Sequence, residues 1–359
     1  MRNFVYQSAP MRVIFGRGTL SQLASELGRL DISRALILAT PNQAQQATRV
    51  AAMLGACAAG VFAEAEMHTP VDVTDRAMAH AKELEVDGIV AIGGGSTTGL
   101  GKAISLRTDL PQVVVPTSYA GSEMTSILGE TRDGLKTTQS SPRILPETVI
   151  YDVDLTLTMP PSLTATSGLN AIAHAVEALY ARERNPIVSL MAEEGIKSLA
   201  QALPKISGDV GDIEARTEAL YGAWLCGSCL GAVGMALHHK LCHTLGGTFN
   251  LPHAETHAVI LPHAIAYNAS AEPRAMSQIA RALGADDAAL GLFELAGELG
   301  VRRSLKEIGM REEDIDRAAG LATTNPYWNP RPVERDAIRG LIARAWAGML
   351  PLDDARKNS

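Results

Sequence analysis

Five continuous apolar runs punctuate the first third of the chain, at residues 13–15, 35–39, 60–63, 88–92 and 112–115. The stretches between them, 18–27, 43–54, 74–84 and 96–106, carry apolar residues at helical spacing. A strand that is apolar on both faces must be covered on both faces. Helices that connect one such strand to the next do this, which predicts a parallel sheet in a Rossmann-like α/β layer arrangement. A hairpin is expected over 130–136, turned at Asp133-Gly134, with a last strand at 149–152. After Pro160-Pro161 no strand pattern returns, and apolar residues recur at helical spacing to the end. The reading is therefore an α/β domain over 1–158 and an all-helical domain over 159–359, with a frayed tail at 353–359.

Composition narrows the function classes. Of 359 residues, 46% are hydrophobic, enough for two cores, while only 4% are aromatic, which favours packed helices and buried parallel strands. The formal net charge of −7 repels nucleic acid and anionic membrane, so neither is an expected partner. A small anionic substrate would need local donors. Cys226 and Cys229 form a CxxC, but no second pair stands at zinc-ribbon spacing, and they read as small buried residues of one helix. The N-terminus lacks the apolar core of a signal peptide, and the 17 uncharged residues 221–237 are short for a membrane span and read as a buried helix. A cytoplasmic protein is expected.

Two loops have the composition of a nucleotide site. The run at 88–92 leads into Gly93-Gly94-Gly95-Ser96 and then directly into a helix. Glycines let the backbone approach a pyrophosphate, and the first amides of the helix donate to it. The next strand leads into Pro116-Thr117-Ser118-Tyr119-Ala120-Gly121-Ser122-Glu123. This is the carboxyl end of a parallel strand, where open α/β sheets bind ligands.

Histidine is unevenly spread. Six of the nine histidines fall between His238 and His263. His239 and His243 are four apart and share a helix face, and His253 follows beyond Gly246-Gly247 and Pro252. Upstream, Asn170 and His174 are also four apart within 167–180. Burying so many polar groups together is costly. The set Asn170, His174, His239, His253, with His243 beside it, therefore reads as a catalytic pocket. Three imidazoles and an amide oxygen could hold a metal, although a catalytic divalent site usually includes a carboxylate or thiolate, or three well-placed histidines.

The chain resembles the iron-containing (group III) alcohol dehydrogenases, whose fold is shared with dehydroquinate synthase. The likeness spans nearly its whole length. It is carried by Phe15-Gly16-Arg17-Gly18-Thr19-Leu20, GGGSTTGLGKA, PTSYAGSEMTSILGET, SGLNAIAHAVEALYA and ALHHKLCHTLGGTFNLPHAETHAV. The resemblance implies a nicotinamide-binding first domain, a catalytic helical second domain, a site in the cleft between them, and a homodimer. It assigns NADH or NADPH to Gly94, Gly95, Ser96, Thr117, Ser118, Ser122, Thr125 and Lys136, with Thr40 and Asn42 near the adenosine ribose. No acid stands at Thr40-Pro41-Asn42 to repel a 2′-phosphate, so both cofactors are expected.

The departures from the family are informative. Its metal ligands are an aspartate and three histidines. The histidine positions match His174, His239 and His253, but Asn170 stands where the aspartate would be, and Gly99 replaces the aspartate of the glycine motif. No metal is therefore expected. The departures match a subgroup that reduces a carbon–carbon double bond of a small keto dicarboxylate. Hydride addition beta to a ketone places charge on an enolate oxygen, which hydrogen-bond donors can stabilise without a metal. His243 or His253 is the expected donor, with His174, His239 and Asn170 completing the pocket. Tyr119, Ser122 and Lys240 are candidates for the substrate carboxylates, as is Arg331 more remotely. The rival readings are a metal-dependent alcohol or aldehyde dehydrogenase, a cyclase like dehydroquinate synthase, and a non-catalytic nucleotide-binding module.

Overall fold

The computed structural model describes residues 3–132 and 134–352. Asp133, at the expected hairpin turn, and the tail 353–359 lie outside the described residues, as does the side chain of Lys136. The chain divides into two compact units, Ser8–Met159 and the chain from Pro160 onward, the latter taking in the N-terminal segment as far as Gln7.

In the first unit β1 (Arg12–Gly16), α1 (Leu23–Arg29), β2 (Ala35–Leu38), α2 (Ala44–Leu54), β3 (Ala58–Phe62), α3 (Val71–Glu83), β4 (Gly88–Gly93), α4 (Gly95–Thr108) and β5 (Gln112–Pro116) alternate. A separate antiparallel hairpin, β6 (Ile127–Arg132) with β7 (Leu135–Ser140), precedes β8 (Thr148–Asp152). The hairpin is longer than the sequence suggested. β7 is largely polar and exposed at its described side chains, and β6 buries only Leu128 and Glu130, so no apolar run marks the strands. The six-stranded sheet runs β1-β8-β5-β4-β2-β3, with every pairing parallel. Successive strand residues supply opposite faces. Ile37, Val90, Ile92, Val113 and Val115 pack with Leu23 and Leu27 of α1 and Val50 of α2, while Leu36, Leu38 and Ile89 pack with Val73 and Ala77 of α3 and Leu100 and Ile104 of α4. This two-sided burial is why the strands read as unbroken apolar runs. The chain order reverses between β2 and β4, so the carboxyl ends of these strands form the crevice where a ligand is expected in such a sheet.

The second unit is helical: α5 (Pro161–Tyr180), α6 (Pro186–Gly208), α7 (Ile213–Ala232), α8 (Leu237–Phe249), α9 (His253–Asn268), α10 (Pro273–Leu283), α11 (Ala288–Glu298), α12 (Ile315–Thr323) and α13 (Arg335–Ala347). Every residue of α5 from Thr164 to Tyr180 is buried, so it is a central helix of the unit and needs no polar face. Leu237, Leu241 and Leu245 of α8 join Val259 and Ile260 of α9 and Leu341 and Ile342 of α13 in the core. Cys226 and Cys229 are buried in α7 as unpaired thiols.

The uncharged stretch 221–237 is not one helix. α7 ends at Ala232, α8 begins at Leu237, and the two are bent by 95°. Carboxylates account for the break, because Glu183 accepts the amide of Gly234 at 3.3 Å and Glu177 accepts those of Ala236 and His238, each at 2.7 Å. The free amides at the start of α8 thus find a buried anion, which also suits the positive end of the helix. Among the described residues no single helix is long and apolar enough to cross a membrane.

Candidate active site

In the α/β unit three loops meet at the carboxyl ends of β2, β4 and β5. Gln43, just after β2, donates from Nε2 to the hydroxyl of Thr117 at 2.9 Å and receives the Thr40 hydroxyl at 3.1 Å. The amide of Thr117 donates to the Gly93 carbonyl at 2.9 Å. Gly93 has φ +154, and a Cβ there would lie 2.4 Å from Oγ1 of Thr97 and 2.8 Å from Oε1 of Gln43, so only glycine fits. Ser118 faces Gly94, where an added Cβ would sit 3.0 Å from its Oγ. Gly94 and Ser96 are half-buried and Gly95 is exposed at the start of α4, leaving helix-terminal amides available to a phosphate. Asn42 is exposed and Thr40 half-buried.

The second loop is held from beneath by a residue the sequence reading did not single out. Lys102 on α4 is buried, and its Nζ donates to the carbonyls of Thr125 at 2.7 Å and Ile127 at 3.0 Å, to Oγ1 of Thr125 at 2.9 Å, and to the carbonyl of Ser122. Burial lowers its ammonium to about 7, opposed by the nearby Glu123 carboxylate. The hydroxyl of Thr125, expected to meet the cofactor, is instead turned inward to Lys102 and Ser122. Oγ of Ser122 is buried without a hydrogen-bond partner among the described residues, and Tyr119 is fully buried. At Gly99 an added Cβ would come within 2.3 Å of Oγ1 of Thr69. Thr69 therefore stands where an aspartate side chain at this position would begin.

In the helical unit α5, α8 and α9 bring the polar residues together. Asn170, His174 and Glu177 lie along α5, His238, His239 and His243 on the first turns of α8, and His253 and His257 open α9. The rings of His174 and His239 stack at 5.2 Å, those of His239 and His243 meet edge-on at 6.0 Å, and those of His253 and His257 are 4.4 Å apart. His174, His239, His243 and His253 thus come from three helices, with Asn170 one turn before His174 on α5. His174, His238 and His257 are driven well below the ordinary imidazole range, first by burial and then by one another and by His239 and His253. They are neutral rings at physiological pH.

Two partners of this cluster were not read from the sequence. Glu177, fully buried, accepts from Nδ1 of His239 at 2.7 Å. The phenol of Tyr327 lies 3.0 Å from Nδ1 of His243. Lys240 sits on the same side, its ammonium 5.7 Å over the Tyr327 ring. Arg331, a remote candidate for substrate, stacks on Tyr267 at 4.2 Å and donates to its carbonyl at 2.8 Å. That engagement makes it a staple of the loop that carries Tyr327.

The donors in this pocket lack the anionic ligand of the family's metal site. Oδ1 of Asn170, Nδ1 of His174 and Nε2 of His239 are buried without hydrogen-bond partners among the described residues, so the pocket is polar and unsatisfied. Every donor in it is neutral, however, and the nearby carboxylate, Glu177, is already engaged by three N–H groups. A doubly charged ion would have no anionic ligand there. A second trio, His238, Cys242 and His257, has ligand atoms within 4.8 Å of one another. Nε2 of His238 and Nδ1 of His257 share a 3.0 Å hydrogen bond, and Sγ of Cys242 lies 3.7 Å from Nε2 of His238.

Comparison with known proteins identifies the family. Residues 10–153 match the model for iron-containing alcohol dehydrogenase, and residues 164–346 match the C-terminal model of the same family. The maleylacetate reductase of Rhizobium sp. strain MTP-10005 is 57% identical over 98% of this chain and 100% of its own length. The crystal structure of maleylacetate reductase from Agrobacterium tumefaciens superposes with a TM-score of 0.95 at 56% identity, covering 98% of this chain and all of that one. An iron-containing alcohol dehydrogenase from Corynebacterium glutamicum superposes at 0.92 with 41% identity, over 96% of this chain and 97% of its own. The chain belongs to the iron-containing alcohol dehydrogenase family.

Proposed function

We propose that this chain uses NADH or NADPH to reduce the carbon–carbon double bond of maleylacetate, giving 3-oxoadipate, and that it does so without a metal. The observation that carries the reading is Asn170, a buried neutral amide one turn before His174 on α5, at the position where the family places its anionic ligand. Identity above 50% over nearly the whole length to curated maleylacetate reductases supports the substrate.

The nicotinamide, when bound, would supply hydride to the carbon beta to the ketone, with the electron pair of the double bond moving onto the ketone oxygen. Donors already in place then stabilise the enolate with little reorganisation. His243, exposed at the edge of the cluster, is the donor to that oxygen, with His253 at the alpha carbon, which takes a proton as the ketone re-forms. His174 and His239 shape the pocket, and Lys240 and Tyr119 are candidates for the substrate carboxylates. Gly94, Gly95 and Ser96 would hold the phosphates, with Thr117, Ser118 and Ser122 alongside. Lys136 is assigned to the nicotinamide ribose by family position alone. A cytoplasmic homodimer acting on a small dicarboxylate, with no nucleic-acid or membrane partner, completes the reading.

The unsatisfied acceptors of Asn170, His174 and His239 favour one second reading, a metal-dependent alcohol or aldehyde dehydrogenase. One assay separates the two. Oxidation of NADH by freshly made maleylacetate is expected to run at full rate after chelation. Loss of turnover on removal of a stoichiometric ion, with recovery on its return, would establish the rival. The Asn170→Asp variant is expected to gain metal affinity.

A further inference from the structure

His239 and His243 stand one turn apart on α8, and each uses Nδ1 to meet a partner of opposite character. The partner of His239 is Glu177, which accepts from the amides of Ala236 and His238 as well as from the ring. A carboxylate with three N–H donors around it accepts only, so the His239 proton sits on Nδ1 and its Nε2 keeps a bare lone pair. That Nε2 is buried with no hydrogen-bond partner among the described residues. The partner of His243 is the Tyr327 phenol. A phenol is a better acid than a neutral imidazole, and an imidazole nitrogen is a better base than a phenol oxygen. The O–H therefore donates to Nδ1, and the His243 proton is left on Nε2.

The phenol is not a loosely held surface group. The side-chain amides of Asn268 and Asn329 pair reciprocally at 2.9 and 2.8 Å, Asn329 donates to the Arg331 carbonyl at 2.7 Å, and Arg331 donates to the carbonyl of Tyr267. These bonds pin the segment carrying Tyr327 to the end of α9. Burial keeps the phenol protonated, its pKa raised above the usual value, with Glu177 adding to the effect.

We infer that Tyr327 is a positioning residue that sets His243 as a hydrogen-bond donor, while Glu177 sets His239 as an acceptor, so that the two imidazoles present opposite tautomers to one substrate. This deepens the maleylacetate reading and rests on it for the identity of the oxygen that His243 meets. A donor is needed at the developing enolate, and a histidine free to exchange tautomers would offer a lone pair there for part of the time.

The test is Tyr327→Phe in the full chain, which keeps the ring and its contact with Lys240 and removes only the hydroxyl. The expected result is a fall in kcat of about tenfold, of the order of one lost hydrogen bond, with KM for NADH unchanged. Nitrogen-15 spectra of the imidazoles should show His243 passing from the Nε2–H form to a tautomer mixture while His239 stays Nδ1–H. In Glu177→Gln, His239 should change and His243 should not. Unchanged kcat in Tyr327→Phe, or a fall in kcat with His243 still Nε2–H, would overturn the inference. If the parent chain fails to turn over maleylacetate, the substrate reading fails, and the spectra still decide the tautomers.

Discussion

The two units build binding surfaces in opposite ways. The α/β unit offers backbone amides and small side chains at strand ends, on loops that tolerate exposure. The helical unit offers side chains from the interior of three helices, deep enough that three of its imidazoles are held neutral. The glycine loop keeps its helix-terminal residues Gly94, Gly95 and Ser96 open to water, although Thr117, Thr125 and Oγ of Ser122 behind it are buried. A buried cluster of ionisable rings makes the unit that houses it sensitive to protons.

Acid should expose this difference most strongly. In the unfolded chain His174, His238 and His257 take up protons near pH 6.5, and in the folded one they do not. Their folded pKa values are depressed, so the unfolded state binds more protons below pH 6.5, and stability that is complete above that value is lost as the pH falls. Each ring contributes about 1.4 kcal/mol per pH unit, roughly 4 for the three. His263, lowered to about 4, adds to the loss between those values. All three tryptophans, Trp224, Trp328 and Trp346, lie in the helical unit, so their fluorescence reports on it alone. Urea midpoints read by tryptophan should drop sharply between pH 7 and 5.5. Equal midpoints at the two pH values would break the comparison.

Gly93→Ala probes the other side. The new methyl meets Thr97 and Gln43 at a backbone angle that L-residues avoid, which costs on the order of 1–3 kcal/mol. NADH affinity should fall tenfold or more in a fluorescence titration, with the histidine spectra unchanged. Gln43→Ala is the mildest change. Losing its bond to Thr117 should weaken NADH about fivefold, near 1 kcal/mol. An effect of either variant on the pH dependence of the tryptophan signal would show that the units are less separate in energy than in chemistry.

The same contrast governs what the sequence revealed. Strands buried on both faces and helices with an apolar stripe leave a periodic trace, so the parallel sheet and the all-helical half were legible. So were the glycine loop and the clustered histidines, because glycine at a strand end and imidazole in excess are both costly without a use. What escaped were partners defined only in three dimensions. Tyr327 lies 84 residues from His243, and Gln43 lies 74 from Thr117. Glu177 falls three residues after His174 and reads as one more helical glutamate until its carboxylate is seen under the start of α8. Lys102 reads as a surface lysine, yet it is buried beneath a loop. The break between α7 and α8 has no proline or charge to announce it.

Glu177 joins α5 to α8 through the amides of Ala236 and His238 and through the His239 ring. The relative placement of these helices is thereby secured by a group outside the would-be metal ligands. A lineage could exchange the residue at 170 and lose its ion without losing the architecture of the cavity, since nothing in that bracing depends on what the cavity holds. One fold can then pass from carbonyl chemistry to alkene chemistry by altering the contents of a chamber whose walls stay fixed.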